Sequence, residues 1–517
     1  MNLSEQLHQM ALKKADKPAY YFLDQSTSYG ELDKAVTKFA DELHRLGVSK
    51  GDNIALLLGN SPHFIISLYG AMRAGATVIP VNPIYTPDEI GYILNNGDVK
   101  VVVALDKLLP LLEKMNPILS SVEQYVICEM QPDNGDSSEF NICNKMKSFT
   151  KMVESGDEGF KGPELDPEDT AIILYTSGTT GKPKGAMLTH TNIYSNAHDI
   201  GEYLNITESD RVITTLPMFH VFSLTVVVNA PLISGGTLLI VPQFSPKEIF
   251  RQIKKYDATV FAGVPTMYNF LFQYPDAKED ALKSLRICIS GGSAMPVSLL
   301  ESFERKFNVR VSEGYGLSEA SPVTCFNPLD RPRKAGSIGT SILRVENKVV
   351  NELGEEVPIN GVGELIVRGP NVMKGYYKMP EESAAVLKNG WLYTGDLARM
   401  DDEGYFFIVD RKKELIIVGG YNVYPREVEE VLYAHPEVVE AAAIGVPDPN
   451  QGEVVKCFVV KKNNALTEEE LLAHCMEHLA KYKVPAKIEF LDELPKNATG
   501  KILRRSLKNH VLQTELH

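Results

Sequence analysis

What this sequence lacks narrows its roles before any motif is read. No run reaches the ~18 consecutive apolar residues that cross a bilayer as a helix, so no membrane span is expected. Cysteine is scarce: Cys128, Cys143, Cys288, Cys325, Cys457 and Cys475 are the six in 517 residues, and none forms a C-x-x-C pair. That spacing gives no support to a zinc or dithiol redox centre. The opening MNLSEQLHQMALKKADKPAYYF has no apolar core of the signal-peptide kind. Together with the few thiols this points to reduced cysteines in the cytoplasm. Positive charge is in deficit, with 53 Lys and Arg against 67 Asp and Glu and a net charge of -14. A nucleic-acid partner needs a clustered positive face, so none is expected, although a local basic mouth can still receive a nucleotide. Internal repeats and low-complexity tracts are missing too.

What is present reads as an α/β protein of more than one lobe. Hydrophobic residues make up 44% and charged residues 23%, a globular composition in a chain too long for one ordinary core. Asn53–Gly59, Thr77–Asn82 and Val99–Leu105 read as buried strands, with a helical spacing over Ser61–Gly75 between the first two. Thr86-Pro87-Asp88-Glu89 carries the signals of a helix start, and that helix should end at Asn96-Gly97. The same rhythm returns at Thr237–Pro242, Ala258–Pro265 and Arg286–Ser290. Gln131–Glu168 is polar and reads as a surface excursion. The character changes at Asp410–Lys413, which we take as a boundary between residues 1–410, a large part with mixed sheets and helices, and 411–517, a small α+β part. In the latter, Val438–Ile444 and Val454–Val460 read as strands joined by a turn at Pro447–Asn450. Thr467–Tyr482 reads as a helix capped by Thr467 with Glu470.

The chemistry begins at Tyr175–Gly185, YTSGTTGKPKG. Gly178, Gly181 and Gly185 let the backbone approach a ligand. Thr176, Ser177, Thr179 and Thr180 offer hydroxyls, and Lys182 and Lys184 bring positive charge. Such a loop suits the β- and γ-phosphates of ATP. It is not a Walker A loop, since Thr176 stands where the first glycine belongs and Pro183 where the hydroxyl belongs. Alone, it could be a glycine-rich surface turn. Further strings follow in order: Leu216-Pro217-Met218-Phe219-His220, Gly291-Gly292-Ser293-Ala294-Met295-Pro296, Glu313-Gly314-Tyr315-Gly316-Leu317-Ser318-Glu319, Tyr393-Thr394-Gly395-Asp396, and Pro495-Lys496-Asn497-Ala498-Thr499-Gly500-Lys501-Ile502. Each has a bland reading: a satisfied core histidine, a tight strand-to-helix turn, a solvated carboxylate, a β-turn, a solvated lysine. Together, from about residue 10 to 510, they resemble the adenylate-forming superfamily, which includes acyl-CoA synthetases, beetle luciferases and peptide-synthetase adenylation domains. The chain is most similar to its bacterial fatty acyl-CoA ligases.

The resemblance implies ATP, Mg²⁺ and coenzyme A as the small molecules bound. Thr176, Ser177, Gly178, Thr179, Thr180, Gly181, Lys182 and Lys184 would hold the phosphates, and Gly291, Gly292 and Ser293 would lie against the base. Tyr315, flanked by Gly314, Gly316, Leu317 and Ser318, offers an aromatic face on which adenine can stack. Glu319, helped by Thr176, would hold Mg²⁺, a hard cation that prefers oxygen. Asp396 and Arg411 would contact the ribose. Lys501 would be the catalytic cation, bridging a carboxylate and the α-phosphate as the two anions approach. His220 would lie near the substrate carboxylate, and Phe222, Leu224, Val264 and Thr266 would line the acyl pocket. Members of the family rotate the small domain between half-reactions. Lys413 aligns with the hinge, and Gly419-Gly420-Tyr421 would swing in to line a pantetheine tunnel.

These parts imply acyl-adenylate formation followed by thioester formation with CoA, with a medium- or long-chain fatty acid as first substrate and an aryl acid as second. Where long-chain members can carry a gating tryptophan this chain has Leu224. Phe222-Ser223 lacks the aspartate that amino-acid adenylation would use, and no carrier-protein segment is evident before His517. A luciferase-like oxygenase shares the motifs. A catalytically silent nucleotide sensor is disfavoured because every expected catalytic position is filled. A fatty substrate would arrive from a membrane, so peripheral contact with one is compatible with the reading.

Overall fold

A computed structural model describes residues 2–129, 143–176, 182–463, 465–497 and 500–514. Two large sheets dominate. One has eight strands and is mostly parallel at its centre. In spatial order these are Gly375–Tyr376, Lys184–Thr189, Thr170–Thr176, Thr77–Pro80, Asn53–Leu57, Val99–Leu105, Gln124–Cys128 and Met146–Ser148. The other has nine: Thr340–Ser341, Val323–Phe326, Val311–Gly316, Ile287–Ser290, Val260–Gly263, Arg211–Thr214, Thr237–Ile240, Pro18–Phe22 and Gln25–Ser28. Their central strands are apolar and buried over most of their length because parallel strands here are covered on both faces. One core lies between them, with Phe39, Phe64, Tyr69, Leu56, Leu224 and Leu238 in it. Outer helices close the far faces, Pro87–Asn96 on the eight-stranded sheet and Pro246–Tyr256 and Val297–Phe307 on the nine-stranded one.

A five-stranded sheet of Glu346–Val350, Gly363–Arg368, Trp391–Met400, Leu387–Lys388 and Phe406–Arg411 follows. A separate C-terminal sheet then forms from Ile416–Val418, Tyr421–Val423, Val438–Asp448, Gly452–Lys461 and Lys487–Phe490. Helices Pro425–Ala434, Glu468–His478 and Arg504–Thr514 accompany it, and it has apolar clusters of its own around Val428, Val459 and Leu471 and around Phe458 and Leu507. The architecture is mixed α/β, a large N-terminal part followed by a smaller sheet domain.

Local signals do what their chemistry dictates. The helix Pro87–Asn96 has a reciprocal capping box of Thr86 and Glu89 and ends at Gly97. Val99–Leu105 is a strand over its whole expected length. The C-terminal hairpin is longer than its apolar runs suggested. Val438–Asp448 pairs with Gly452–Lys461 as far as Asp448 opposite Gly452, so Pro447 and Asp448 belong to the strand. The Thr467 helix is capped as expected but stops at His478, where Leu479 turns extended. Tyr482 then stacks on Tyr421 at 4.8 Å and Lys483 reaches Glu427 Oε1 at 2.6 Å, contacts that an unbroken helix would not make. The expected surface excursion is corrected in its second half. Met146–Ser148 joins the sheet edge, and Phe149 and Met152 of the helix Phe149–Ser155 are buried, with Phe149 5.0 Å from the Phe39 ring. Two apolar side chains a turn apart were hidden among polar neighbours. Residues 130–142 lie outside the described residues.

Candidate active site

The phosphate-loop motif spans a hairpin. Thr170–Thr176 runs antiparallel to Lys184–Thr189, with Thr176 opposite Lys184. Ser177, Gly178, Thr179, Thr180 and Gly181 lie outside the described residues. A Cβ on Gly185 would sit 2.6 Å from Ile173 Cγ2, so only glycine fits there. Lys184 Nζ lies 5.3 Å over the Tyr376 ring, a cation–π contact that orients the ammonium. Tyr376 Oη in turn donates to Glu319 Oε1 at 2.9 Å. Lys182 Nζ lies 5.9 Å over the Tyr92 ring. Sequence reasoning missed Tyr376 and Tyr92; in sequence they are aromatics with no motif around them.

The Tyr315 motif begins on the strand Val311–Gly316. Its glycines are required by crowding, since a Cβ on Gly314 would lie 2.4 Å from Phe326 Cδ2 and one on Gly316 2.3 Å from the Pro322 carbonyl. Leu317 and Ser318 lead into the short turn Ser318–Ala320 that carries Glu319. Tyr315 Oη donates a short hydrogen bond to Asp396 Oδ2. Burial and the Asp396 charge hold the Tyr315 phenol far above its ordinary value, so it stays a donor. Asp396 faces Arg411 across the pair of strands Trp391–Met400 and Phe406–Arg411. Arg411 Nε is 3.3 Å from Asp396 Oδ1. Thr394 Oγ1 accepts from Asp396 N at 3.1 Å, and Glu364 Oε1 accepts from Gly395 N at 3.0 Å. These contacts fix the carboxylate and leave Tyr315, Asp396 and Arg411 as one set. Glu364 carried no signal in the sequence.

The glycine turn closes on the expected acyl wall. A Cβ on Gly291 would lie 3.2 Å from the Phe222 ring, and one on Gly292 3.4 Å from Val264 Cγ1. Ser293 follows, half-buried. Leu224, fully buried, belongs to a π-helical stretch Ser223–Asn229 just past the histidine, a distortion often found at functional sites. His220 Nδ1 accepts from Phe222 N at 3.3 Å. Burial, then the Lys501 charge, pushes its imidazole down to about 4, so it is neutral at pH 7.

Lys501 comes from the other direction. Its N–H donates to Asn497 Oδ1 at 2.9 Å and its carbonyl accepts from Asn497 N at 2.9 Å, which closes the loop that carries it. Ala498 and Thr499 are outside the described residues. Burial and the Arg411 charge push the Lys501 ammonium down to about 8, with Asp396 and Glu414 opposing. Gly500 has φ +79°, and a Cβ there would lie 2.7 Å from Thr266 Oγ1 and 3.3 Å from Val264 Cγ2. Only a residue without a side chain lets this loop settle on Thr266. Arg504, one turn on, is paired with Glu414 and lies 2.7 Å from Glu429 Oε1; the sequence reading left it out.

The fold therefore brings Lys501, Arg411, Asp396, Tyr315 and His220 within electrostatic reach of one another, beside Phe222, Val264, Thr266 and the two glycines. Lys413 is exposed on the turn Lys412–Glu414, at the edge of this set and within reach of the Arg411 and Asp396 charges. The fold leaves others apart. Gly419, Gly420 and Tyr421 sit at an exposed hairpin, with Tyr421 stacked on Tyr482 of its own domain. Among the described residues no group of three or more His, Cys, Asp or Glu side chains could hold a metal. Glu319 with the Thr176 hydroxyl is a sparse oxygen set. It fits Mg²⁺ that arrives on a triphosphate rather than an ion caged by protein. No helix of the described residues is long and apolar enough to cross a membrane.

Residues 7–377 match the family described as AMP-binding enzyme, and residues 427–501 match the AMP-binding enzyme C-terminal domain. The chain is 41% identical to a long-chain-fatty-acid–CoA ligase of Bacillus subtilis, over 98% of this chain and 94% of that one. ATP-bound MatB from Rhodopseudomonas palustris superposes with a TM-score of 0.90 at 32% identity, covering 99% of both chains. The anthranilate CoA ligase AuaEII, in complex with anthranoyl-AMP, gives 0.91 at 28% identity, covering 99% of this chain and 97% of that one.

Proposed function

The chain belongs to the AMP-binding enzyme family, and from that premise we propose that it is an ATP-dependent fatty acid–CoA ligase with a long-chain acid as its first substrate. The activity is that of an AMP-forming acyl-CoA ligase using ATP, Mg²⁺ and CoA. The observation that carries the reading is that buried Lys501 lies within reach of the Arg411 and Asp396 charges, while its neighbour Gly500 rests on Thr266 and Val264. A ribose clamp, a cation and an apolar wall are thereby adjacent.

In this reading the substrate carboxylate attacks the α-phosphorus of ATP and pyrophosphate departs. The CoA thiol then attacks the acyl carbonyl and AMP departs. Tyr315 offers its face to adenine while its hydroxyl steadies Asp396, and Asp396 with Arg411 receives the ribose hydroxyls. Lys501 offsets charge as carboxylate and phosphate approach. Neutral His220 offers hydrogen bonding to the carboxylate without trapping it as an ion pair. Lys182 and Lys184 would face the phosphates, with Glu319 and Thr176 as the oxygen donors for Mg²⁺, which spreads phosphate charge when bound. Phe222, Leu224, Val264 and Thr266 would form the acyl wall.

For the second step the small domain would turn about Lys413, just past the boundary between 410 and 411. That turn would withdraw Lys501 and bring Gly419, Gly420 and Tyr421 to the pantetheine path. The exposure of that hairpin supports a role reserved for another arrangement. A cytoplasmic enzyme taking its acid from a membrane surface completes the reading; a nucleic-acid partner has no part in it. The test is CoA-dependent AMP release over saturated acids of graded length and over benzoate and anthranilate. Preference for long chains is expected, and turnover confined to the aryl acids would replace the substrate class.

A further inference from the structure

One cation of the small domain is fastened to the large one outside the set formed by Lys501, Arg411 and Asp396. Arg426, in the first turn of the helix Pro425–Ala434, donates from Nη1 to the Ile408 carbonyl at 2.8 Å and from Nη2 to the Gly336 carbonyl at 3.5 Å. Its Nε lies 3.7 Å from Glu430 Oε1, while Glu430 Oε2 accepts from Val297 N at 3.4 Å. Beside it, Ser298 Oγ donates to the Tyr433 carbonyl at 3.1 Å. The Arg426 backbone N–H donates to Asp410 Oδ2 at 2.9 Å, across the proposed hinge. Its charge also reaches Glu313, a buried carboxylate whose Oε1 accepts from Met295 N at 3.1 Å. Burial pushes Glu313 up to about 7, and Arg426 is the foremost influence pulling it down, with Glu430 and Arg333 the other charges facing it. Glu313 directly precedes the Gly314-Tyr315 strand end, and Met295 closes the glycine turn. One planar fork thus ties the small domain to two large-domain carbonyls, and its charge reaches the carboxylate that precedes Gly314.

We propose that Arg426 is a positioning residue that latches the small domain in the arrangement that delivers Lys501. The inference rests on the two-arrangement reading above. Two carbonyls at fixed spacing are matched by a guanidinium and not by an ammonium. The latch contributes to the first half-reaction only, since its large-domain partners are left behind once the helix turns away.

The test measures the half-reactions separately on the full chain: acid-dependent pyrophosphate exchange, and thioester formation from supplied acyl-AMP and CoA. Arg426→Ala should slow exchange by about 10- to 100-fold, the factor expected when one of two arrangements loses a differential contact of this kind, and should leave thioester formation within about twofold. Arg426→Lys should fall between, and Glu430→Gln should slow exchange less than Arg426→Ala. Exchange unchanged in Arg426→Ala overturns the latch, and so does equal loss of both steps, which marks a merely structural side chain. Lys501→Ala serves as the reference: if it retains exchange, the reading beneath the latch fails rather than the latch alone.

Discussion

The two sides of the candidate site are held by different forces. Around Tyr315 and the glycine turn, the frame is two sheets packed face to face through a continuous apolar core, with the five-stranded sheet that carries Asp396 beside them. The side that carries Lys501 meets that frame through single polar contacts: Arg426 with two carbonyls, Glu430 with the Val297 N–H, Ser298 with the Tyr433 carbonyl. Its own apolar clusters stay within its own sheet. Packed apolar surface is close to all-or-none, whereas polar contacts exchange with water at little net cost. A rigid receptor and a detachable donor of charge follow from that contrast.

The comparison breaks most sharply at Lys501. Lys501→Ala should lower acid-dependent pyrophosphate exchange by about 10²–10³-fold, the usual cost of one preorganised stabilising group, while thioester formation from supplied acyl-AMP stays within a few-fold. Equal loss in both assays would mean that the detachable side serves both steps. Next comes Arg504→Ala, which strands Glu414 and Glu429. Removing one partner of a largely buried ion cluster costs about 3 kcal/mol. Calorimetry should therefore show the small domain melting earlier, with the large-domain transition little moved; a shared shift would deny the two sides their independence. Tyr376→Phe deletes the hydrogen bond to Glu319 on the rigid side, worth about 1.5 kcal/mol to a charged acceptor. The Mg²⁺ concentration for half-maximal exchange should rise several-fold with the melting temperature nearly unchanged.

The smallest effect is on pH. Lys501 is held down to about 8 by burial and Arg411, so its charged fraction falls as pH rises through 8. The kcat/KM for exchange should fall about threefold between pH 7.5 and 8.5, those limits being about half a unit below and above that value. Stability should move the other way. Above about 8 the unfolded chain holds the Lys501 proton more tightly than the folded one, so folding gains as pH rises towards the ordinary lysine value, and below 8 the penalty is constant. Lys501→Arg, charged throughout, should flatten the alkaline limb. A limb that survives the substitution would belong to another group.

Much of the rigid side was legible because its signals are local. The Thr86 capping box, the valine run at Val99–Leu105 and the crowded glycines at Gly314 and Gly316 each depend on close neighbours in the chain or on one crossing contact. The motif residues were found as strings, and the fold gathers many of them. What escaped depends on partners remote in sequence. Tyr376 matters because a sheet edge sets it beside Glu319, 57 residues away, and Glu364 because it meets Gly395, 31 residues away. Arg504 and Arg426 were unreadable for the same reason, since a lone arginine in a charged stretch looks like solvated surface until its carboxylates and carbonyls are located. Phe149 was lost because a short helix with only two buried apolar side chains offers little to a pattern search.

The contact between Gly500 and Thr266 has a consequence for the order of events. With the loop seated, the backbone of Gly500 lies against Thr266 and Val264, the wall proposed for the acid, so on that proposal the cation and a stopper would be one piece of chain. An acid arriving late would then find its way narrowed, and one already inside would be held until it reacts. Queueing is thus built into the backbone. The acid should enter while the loop is away, and excess acid should not slow a molecule whose loop has already come down.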